Sequence, residues 1–242
     1  MRKRVRVVLM AGLVLGWTLP AAVADELETV EKKLAEGWKK HKSMTAEFTM
    51  VTKMEQPGFA MESTTKGTQE MMRKGDQLLF HTEMTTSTVQ KVGDQESKSE
   101  SKVTMVSDGT YAYTLSEMMG QKTAVKTKVD PQSVGDPEAT FKFLRKDHTL
   151  KLLPEETIEG KKAFVIEATP KQTQPMGPGK SVYFFLQDDS ALVKMVASDQ
   201  AGKPMATMTY SDIKFDVKID PQRFVFKAPE GVQVIDQTAA QP

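Results

Sequence analysis

The sequence contains no cysteine, and its 242 residues include three histidines and only 7% aromatic residues. Without cysteine an exported chain has no disulfide framework, so its core alone must hold it together. The sequence also lacks a G-x-S-x-G nucleophile elbow, an H-E-x-x-H zinc helix and a glycine-rich phosphate loop. We therefore expect a binding protein rather than an enzyme, with no cofactor and no metal.

Neither an excess of basic charge nor a long apolar segment is present beyond the first 24 residues. Residues 1–24 hold four of the 33 basic residues and no acidic ones, which leaves 29 basic against 32 acidic residues. A nucleic-acid-binding protein has the opposite balance, so we expect no nucleic-acid partner. No later stretch reaches the ~20 apolar residues of a membrane-spanning helix.

Residues 1–24 have the pattern of a cleavable export signal. A basic start is followed by the apolar run Val7–Leu19 and by the small residues Ala22-Val23-Ala24. Asp25 comes next, so no cysteine is available there for a lipid anchor. The sequence therefore predicts a soluble, monomeric periplasmic protein.

The segment that follows has the periodicity of an amphipathic helix. Leu27, Val30, Leu34 and Trp38 recur at intervals of three and four residues, so residues 25–42 are predicted to form a helix with one apolar stripe. Such a stripe must pack on another element, and we expect that element to be a β-sheet.

From Ser43 onward, apolar and polar residues mostly alternate in short runs separated by turn residues, as in consecutive antiparallel strands. One helical segment, Pro137–Lys146, interrupts the strands. Residues 85–102 contain little apolar content and fit either a long solvated hairpin or a mobile loop. Strands are also predicted at Met205–Tyr210, Ile213–Val217 and Phe224–Phe226.

These elements predict an α+β protein that is mainly β. So many strands in one sheet tend to curl, so we expect a single, strongly curved antiparallel sheet of about ten to eleven strands, an unclosed β-barrel. The N-terminal helix and the short mid-chain helix would cover it. Residues 25–236 are predicted to form one domain, and residues 237–242 a tail.

Methionine is unusually frequent: 16 are present, 14 of them beyond residue 24. Methionine side chains fill irregular cores, and they also line surfaces that accept ligands of variable shape. Both interpretations apply here. Among the histidines, only His81 has an acidic residue on its own strand face, Glu83, and we interpret that pair as structural.

The C-terminal sequence resembles a known family. The segment 224–236 (FVFKAPEGVQVID) resembles the closing strand of LolA, the periplasmic carrier of outer-membrane lipoproteins, and of its LolB- and RseB-type relatives. Other features of this family occur in the same order: an N-terminal helix behind an export signal, the strand SMTAEFT at 43–49, Met72-Arg73-Lys74-Gly75 and Ser107-Asp108-Gly109-Thr110-Tyr111. The resemblance covers most of residues 25–236.

The resemblance implies a carrier that shields the acyl chains of a lipoprotein or other lipid in an apolar cavity and shuttles them across the periplasm. Its further partners would be an inner-membrane release complex and an outer-membrane acceptor. The alternative is an RseB-like sensor that binds lipid or peptide as a signal. The lid is predicted at Phe141 and Leu144, with Arg73 as the nearest match to the arginine that closes the family's lid. The cavity is predicted to be lined by Met44, Phe48, Met50, Leu78, Phe80, Met84, Phe164, Ile166, Phe184, Met195 and Met208.

Overall fold

The computed structural model describes residues 21–75, 77–129, 137–172 and 177–239, with side chains described from residue 26 onward. Most of the predicted export signal, the Asp130-Pro131 pair and the last three residues of the predicted tail lie outside these ranges. No helix among the described residues is long and apolar enough to cross a membrane.

Two α-helices and twelve strands make up the described fold, with one short 3₁₀-helix at Pro221–Phe224. The helices are α1 (Ala21–Lys39) and α2 (Pro137–Asp147). The strands before α2 are β1 (Ser43–Gln56), β2 (Phe59–Lys74), β3 (Gln77–Val92), β4 (Gln95–Ser107), β5 (Tyr111–Met118) and β6 (Gln121–Lys128). Those after it are β7 (His148–Ile158), β8 (Lys161–Pro170), β9 (Lys180–Leu186), β10 (Leu192–Ser198), β11 (Pro204–Phe215) and β12 (Val234–Asp236).

All twelve strands belong to one sheet, in the order β12-β6-β5-β4-β3-β2-β1-β11-β10-β9-β8-β7. Every neighbouring pair is antiparallel except β12 and β6, which are parallel. The strands at the two ends, β12 and β7, do not pair with each other, so the sheet is unclosed. The predicted fold class is confirmed, with slightly more strands than expected.

Helix α1 buries the predicted stripe: Leu27, Val30, Leu34 and Trp38 are all buried. Its final turn is closed by the N–H of Lys40, which donates to the carbonyl of Gly37 at 3.2 Å, a tightening typical of helix ends. The helix begins at Ala21, four residues before the predicted start, and ends at Lys39, three before the predicted end.

Residues 85–102 form the outer half of a long hairpin, which decides between the two predicted alternatives. Thr85 pairs with Lys102, and pairing continues without interruption to Val92 and Gln95. Gly93 makes the turn with a φ of +58°, a conformation that glycine adopts without steric cost. Because β2 also pairs along the whole of β3, main-chain hydrogen bonds hold this segment despite its polar composition.

Two predictions about the last strands are wrong. Met205–Tyr210 and the first part of the second segment, Ile213–Phe215, belong to one strand, β11, which carries a bulge where Asp212 has a φ of +50°, and Val217 lies beyond its end. A bulge interrupts the alternation without ending the strand. The strand predicted at Phe224–Phe226 is absent: Phe224 ends the 3₁₀-helix, which Pro221 begins and Asp220 caps by accepting from the N–H of Gln222. Within the closing segment, only Val234–Asp236 pairs as a strand.

The two faces of the sheet differ in what covers them. Helices α1 and α2 pack on one face, which we call the helix face, through Leu34, Phe141 and their neighbours on β8 and β9. The opposite face, which we call the charged face, carries the 3₁₀-helix against β3 and β4. There the ring of Phe226 stacks on Tyr113 with centroids 4.9 Å apart.

Candidate functional site

The helix face of β1–β6 carries almost no charge. Because side chains alternate and the register is continuous from β1 to β6, cross-strand partners identify every residue on this face. The described strand residues on it are methionine, serine, threonine, alanine, glutamine, glycine and a few larger apolar residues. Arg73, at the end of β2, is the one charged residue among them.

Lysine and glutamate occupy the other side of the same strands. Lys53 pairs with Glu62 at 3.1 Å across β1 and β2, and Lys91 pairs with Glu96 at 3.3 Å across β3 and β4. A one-residue shift in register would exchange the faces of every side chain. The separation of charged from uncharged side chains therefore depends both on the alternation in the sequence and on this register.

One end of the helix face is filled by two packed clusters. In the first, Phe164 and Ile166 of β8, both predicted to line a cavity, pack against Phe141 of α2 and three residues of α1. In the second, Met44 and Phe80 pack with Trp38 at the end of α1. The aromatic rings occupy the space that the sequence assigned to a cavity, so a guest at this end must displace protein side chains.

The open part of the helix face begins beside these clusters. Met50, Met195 and Met208, which we call the methionine row, are cross-strand neighbours on β1, β10 and β11. All three are half-buried and belong to neither cluster. They lie in one line of neighbours that crosses the sheet from β7 to β5: Leu152, Ile166, Tyr183, Met195, Met208, Met50, Thr65, Thr86, Ser101 and Met118.

None of the residues in this line is charged, but their burial and polarity change along it. The end at Ile166 is covered by the helices, the methionine row is half-buried, and a hydroxyl pair follows at Thr65 and Thr86. The two threonine oxygens lie 2.8 Å apart and satisfy each other. The surface therefore offers apolar contact at its centre, and beyond the buried Thr65 it continues with the half-buried, uncharged side chains of Thr86 and Ser101.

The remaining predicted cavity residues are divided between the faces. Phe48 is buried on the helix face, where its ring packs beside Tyr210 and directly over Gly67. A Cβ at Gly67 would lie 2.6 Å from the Phe48 ring, so only glycine allows this approach. Met84 and Leu78 are half-buried on the same face.

Phe184 lies on the opposite face from Phe164 and Ile166, which corrects the grouping made from the sequence. It pairs with Val165, and both side chains belong to a cluster on the charged face. The residues of β9 that face the helices are Tyr183 and Phe185. Because β9 is apolar on both faces, alternation alone did not show which set faces α1 and α2.

Helix α2 is held over the sheet by two ion pairs to α1 and two buried side chains, Phe141 and Leu144. Arg145 Nη2 donates to Glu31 Oε1 at 2.9 Å, and Lys39 pairs with Glu138. The structure places Arg73, the predicted lid arginine, elsewhere: it lies beside Trp38 at the end of α1, and its backbone N–H donates to the carbonyl of Lys42 at 2.8 Å.

Three open grooves lie at the charged face and its margins. Their volumes are about 590, 400 and 330 Å³, and charged or hydroxyl-bearing side chains contribute much of their lining. The largest is bordered by Glu47, Lys66, Glu83 and Lys102 on β1–β4. Charged side chains of both signs border all three grooves, in contrast to the uncharged helix face.

His81 forms part of an ionic cluster on the charged face. Its Nδ1 lies 3.2 Å from Glu70 Oε2, and its Nε2 lies 3.2 Å from Glu83 Oε1. Arg223, from the 3₁₀-helix, donates to Glu70 at 2.7 Å. Burial lowers the pKa of Arg223, but its interactions with Glu70 and Glu83 outweigh burial and raise that pKa overall. The cluster attaches the C-terminal segment to β2 and β3, in agreement with a structural role for His81.

Tyr210 gives a measurable pH dependence of stability. Burial raises the pKa of Tyr210 from its usual value of 10.0 to about 12. Because the folded-state pKa is the higher one, the stabilisation is complete below pH 10.0 and is lost as the pH rises toward 12. We expect chemical denaturation to show this alkaline loss in the parent and a smaller loss in Tyr210→Phe, where Tyr183, whose pKa burial also raises, still contributes.

An equal alkaline loss in the parent and in Tyr210→Phe would contradict this assignment. Ultraviolet difference absorbance of the two proteins, titrated under native conditions, provides the control because it reports phenolate formation directly.

Sequence reasoning missed several residues of this face. Tyr183, Tyr210 and Phe185 lie on it together with the Thr65–Thr86 pair. The signal that could have identified them is an absence of charge: within β1–β6 every helix-face position except Arg73 is uncharged, although the neighbouring positions carry the lysines and glutamates of these strands. Searching for apolar residues alone overlooks a face built partly from serine and threonine.

Comparisons with known proteins found one matching family model and several similar solved structures. One family, described as an uncharacterized protein, matches residues 133–228. No curated protein matches the chain. Among solved structures, MucB is similar with 14% identity and a TM-score of 0.47, and the match covers 89% of this chain and 66% of MucB.

Two further structures are similar to this chain at a comparably low sequence identity. The lipoprotein LppX of Mycobacterium tuberculosis has 13% identity and a TM-score of 0.40, with 81% of this chain and 98% of LppX covered. A LolA-superfamily protein of Nitrosomonas europaea has 12% identity and a TM-score of 0.28, with 82% and 97% covered. MucB- and LolA-type structures are both among those similar to this chain, and the likeness concerns the fold alone.

Proposed function

We propose that the protein binds the acyl chain of a lipoprotein or other lipid along the open part of the helix face and carries it through the periplasm. One observation supports this most directly: the helix face of β1–β6 is free of charge except at Arg73, while the same strands carry lysine and glutamate on the other side. A solvated surface has no need to exclude charge. A surface that receives an apolar chain does, because a buried unpaired charge is costly.

The methionine row supplies the apolar contact for such a ligand. Met50, Met195 and Met208 are half-buried and unbranched, so they adapt to chains of different shape. An acyl chain of about fifteen methylenes gains roughly 12 kcal/mol on full burial, which would make release very slow. A carrier therefore benefits from a shallow surface that buries only part of the chain.

The alternative function is a periplasmic sensor on the same fold that binds lipid or peptide as a signal. The grooves at the charged face favour this alternative for a peptide, since charged side chains of both signs line them. The two functions differ in which face binds the ligand and in what happens next: a carrier transfers its lipid to an acceptor membrane, whereas a sensor retains it.

A matched pair of substitutions tests the site. Met208→Lys places a charge on the methionine row, while Thr209→Lys places the same charge on the adjacent residue, which faces the other side. We expect Met208→Lys to weaken binding of a fluorescent fatty-acyl probe by tenfold or more, because the ammonium group must lose water or displace the chain. Thr209→Lys, exposed on the charged face, should bind as the parent does.

Thermal melting of both variants establishes that each is folded. Equal binding by the two folded variants would refute the proposed site, and weaker binding by Thr209→Lys alone would move it to the charged face. Transfer of the bound probe to acceptor vesicles then separates the carrier from the sensor.

A further inference from the structure

Two residues that line a small pocket at the end of α1 each have a buried N–H donor without an acceptor among the described protein atoms. These are the indole Nε1 of Trp38 and the guanidinium Nε of Arg73. Both residues line the same pocket, together with His41, Lys42 and Met44. Leaving a buried donor without a partner costs about 1–3 kcal/mol, so two such donors at one place indicate that something accepts from them.

The chemistry of the two groups determines what can bind. An indole N–H and a guanidinium group donate hydrogen bonds and cannot accept them, so the bound atom must be an acceptor. The pocket has a volume of about 10 Å³, which corresponds to a single oxygen atom. The bulk of any ligand must then remain outside, with one oxygen inserted.

The local charge favours an anionic oxygen. Arg73 is the one charged residue on the helix face of β1–β6, and Lys42 also lines the pocket. The carboxylate of Asp216, which contacts two residues that line the pocket, is already engaged: it accepts from the backbone N–H of Lys42 at 2.7 Å and contacts His41 Nδ1 at 3.2 Å. These two hydrogen bonds lower the pKa of Asp216. The last carbonyls of α1, on Gly37 and Trp38, accept from the backbone N–H groups of Lys40 and His41.

We propose that Trp38 and Arg73 form a binding site for one oxygen of a phosphate or carboxylate group. The group belongs either to a free anion or to the headgroup of an amphiphile. This site lies outside the methionine row, at the edge of the cluster that contains Trp38, Met44 and Phe80, and does not depend on acyl-chain binding at the methionine row. Loss of either site therefore leaves the other testable.

The test follows the two N–H groups directly by ¹H–¹⁵N NMR. The full chain is titrated with inorganic phosphate, hexyl phosphate and neutral hexanol, and the Trp38 indole and Arg73 Nε–H resonances are assigned from Trp38→Phe and Arg73→Gln. We expect both resonances to shift saturably with either phosphate and to remain unchanged with hexanol. Similar midpoints for the two phosphates identify a free-anion site, and a lower midpoint for hexyl phosphate identifies a headgroup.

The variants make the assignment specific. Trp38→Phe keeps the packed ring and removes one donor, so binding should weaken by about tenfold or more, as for the loss of one hydrogen bond to a charged group. Arg73→Gln should weaken it at least as much. Lys40→Gln removes a nearby charge that does not line the pocket and should bind as the parent does.

Two results would overturn the proposal. In one, neither resonance moves with either phosphate, and water alone satisfies the two donors. In the other, the Trp38 indole resonance shifts in Arg73→Gln with the same midpoint as in the parent. Because Arg73 is only half-buried at the end of β2, this variant should fold even where Trp38→Phe does not.

Discussion

Replacing Phe80 with aspartate is expected to unfold the protein rather than to yield a folded variant that has lost ligand binding. Phe80 is only 2% exposed and packs with Trp38, Met44 and Met71 beneath the end of α1. The substitution removes a large apolar side chain and leaves a carboxylate without a partner in its place. Each of these changes costs several kcal/mol, and together they are comparable with the whole stability of a typical domain.

Two control variants separate the effect of the buried position from the effect of the introduced carboxylate. Phe80→Leu keeps an apolar side chain and should lower the free energy of unfolding only modestly. Met84→Asp places the same carboxylate on the same strand and the same face, four residues further on, where the side chain is half-buried and belongs to neither cluster. We expect Met84→Asp to fold. Urea denaturation followed by circular dichroism compares the three variants, and a cooperative transition near that of the parent in Phe80→Asp would show that this end of the helix face is not a packed core.

Replacing Phe141 with alanine is expected to release helix α2 from the sheet. The Phe141 ring is 3% exposed and lies 5.4 Å, centroid to centroid, from Phe185. Loss of a buried phenylalanine typically costs about 3–5 kcal/mol. The remaining ion pairs of α2, Arg145 with Glu31 and Lys39 with Glu138, are partly or largely exposed and contribute at most about 1 kcal/mol each.

Hydrogen exchange measures this release locally. Amides of α2 should exchange much faster in Phe141→Ala, while those of β8 and β9 keep most of their protection. Phe143→Ala is the control, because Phe143 lies on the same short helix and is 42% exposed. Its exchange should match that of the parent, and equal exchange in Phe141→Ala would show that the ion pairs hold α2 without this ring.

Release of α2 bears on the proposed function. It would remove the ring that lies against Phe185, which is on the same face as the methionine row, and so lengthen the apolar surface. At ~0.8 kcal/mol per methylene, burial of about six methylenes already matches the roughly 3–5 kcal/mol typical of losing one buried phenylalanine contact. A ligand could therefore open this contact, and binding of the acyl probe by Phe141→Ala should equal or exceed that of the parent.

Much of the fold follows from local patterns. The stripe Leu27, Val30, Leu34 and Trp38 indicated α1 and its buried side without knowledge of the sheet, because a helix aligns residues three and four apart. Alternation placed Met44, Phe48 and Met50 on one face of β1 for the same reason, since successive side chains in a strand point to opposite sides.

Long-range pairing decided what alternation could not. Residues 85–102 are polar, and only their pairing with β2 and within the hairpin makes them strands rather than a loop. The alternation around Phe224 predicts a strand. Pro221, which begins the 3₁₀-helix, and the burial of the Phe224 ring instead place this residue in that helix.

The sequence by itself determined the helix stripe, the antiparallel sheet and the separation of charged from uncharged positions along each strand, because these depend on periods of 3.6 and 2 that are local to the chain. Only the tertiary structure decided which uncharged positions α1 and α2 cover. On β9, where both faces are apolar, it placed Phe185 beneath the helices and Phe184 on the other side. It also left the methionine row open beside the covered clusters, since the reach of two short helices over a wide sheet depends on packing between distant segments.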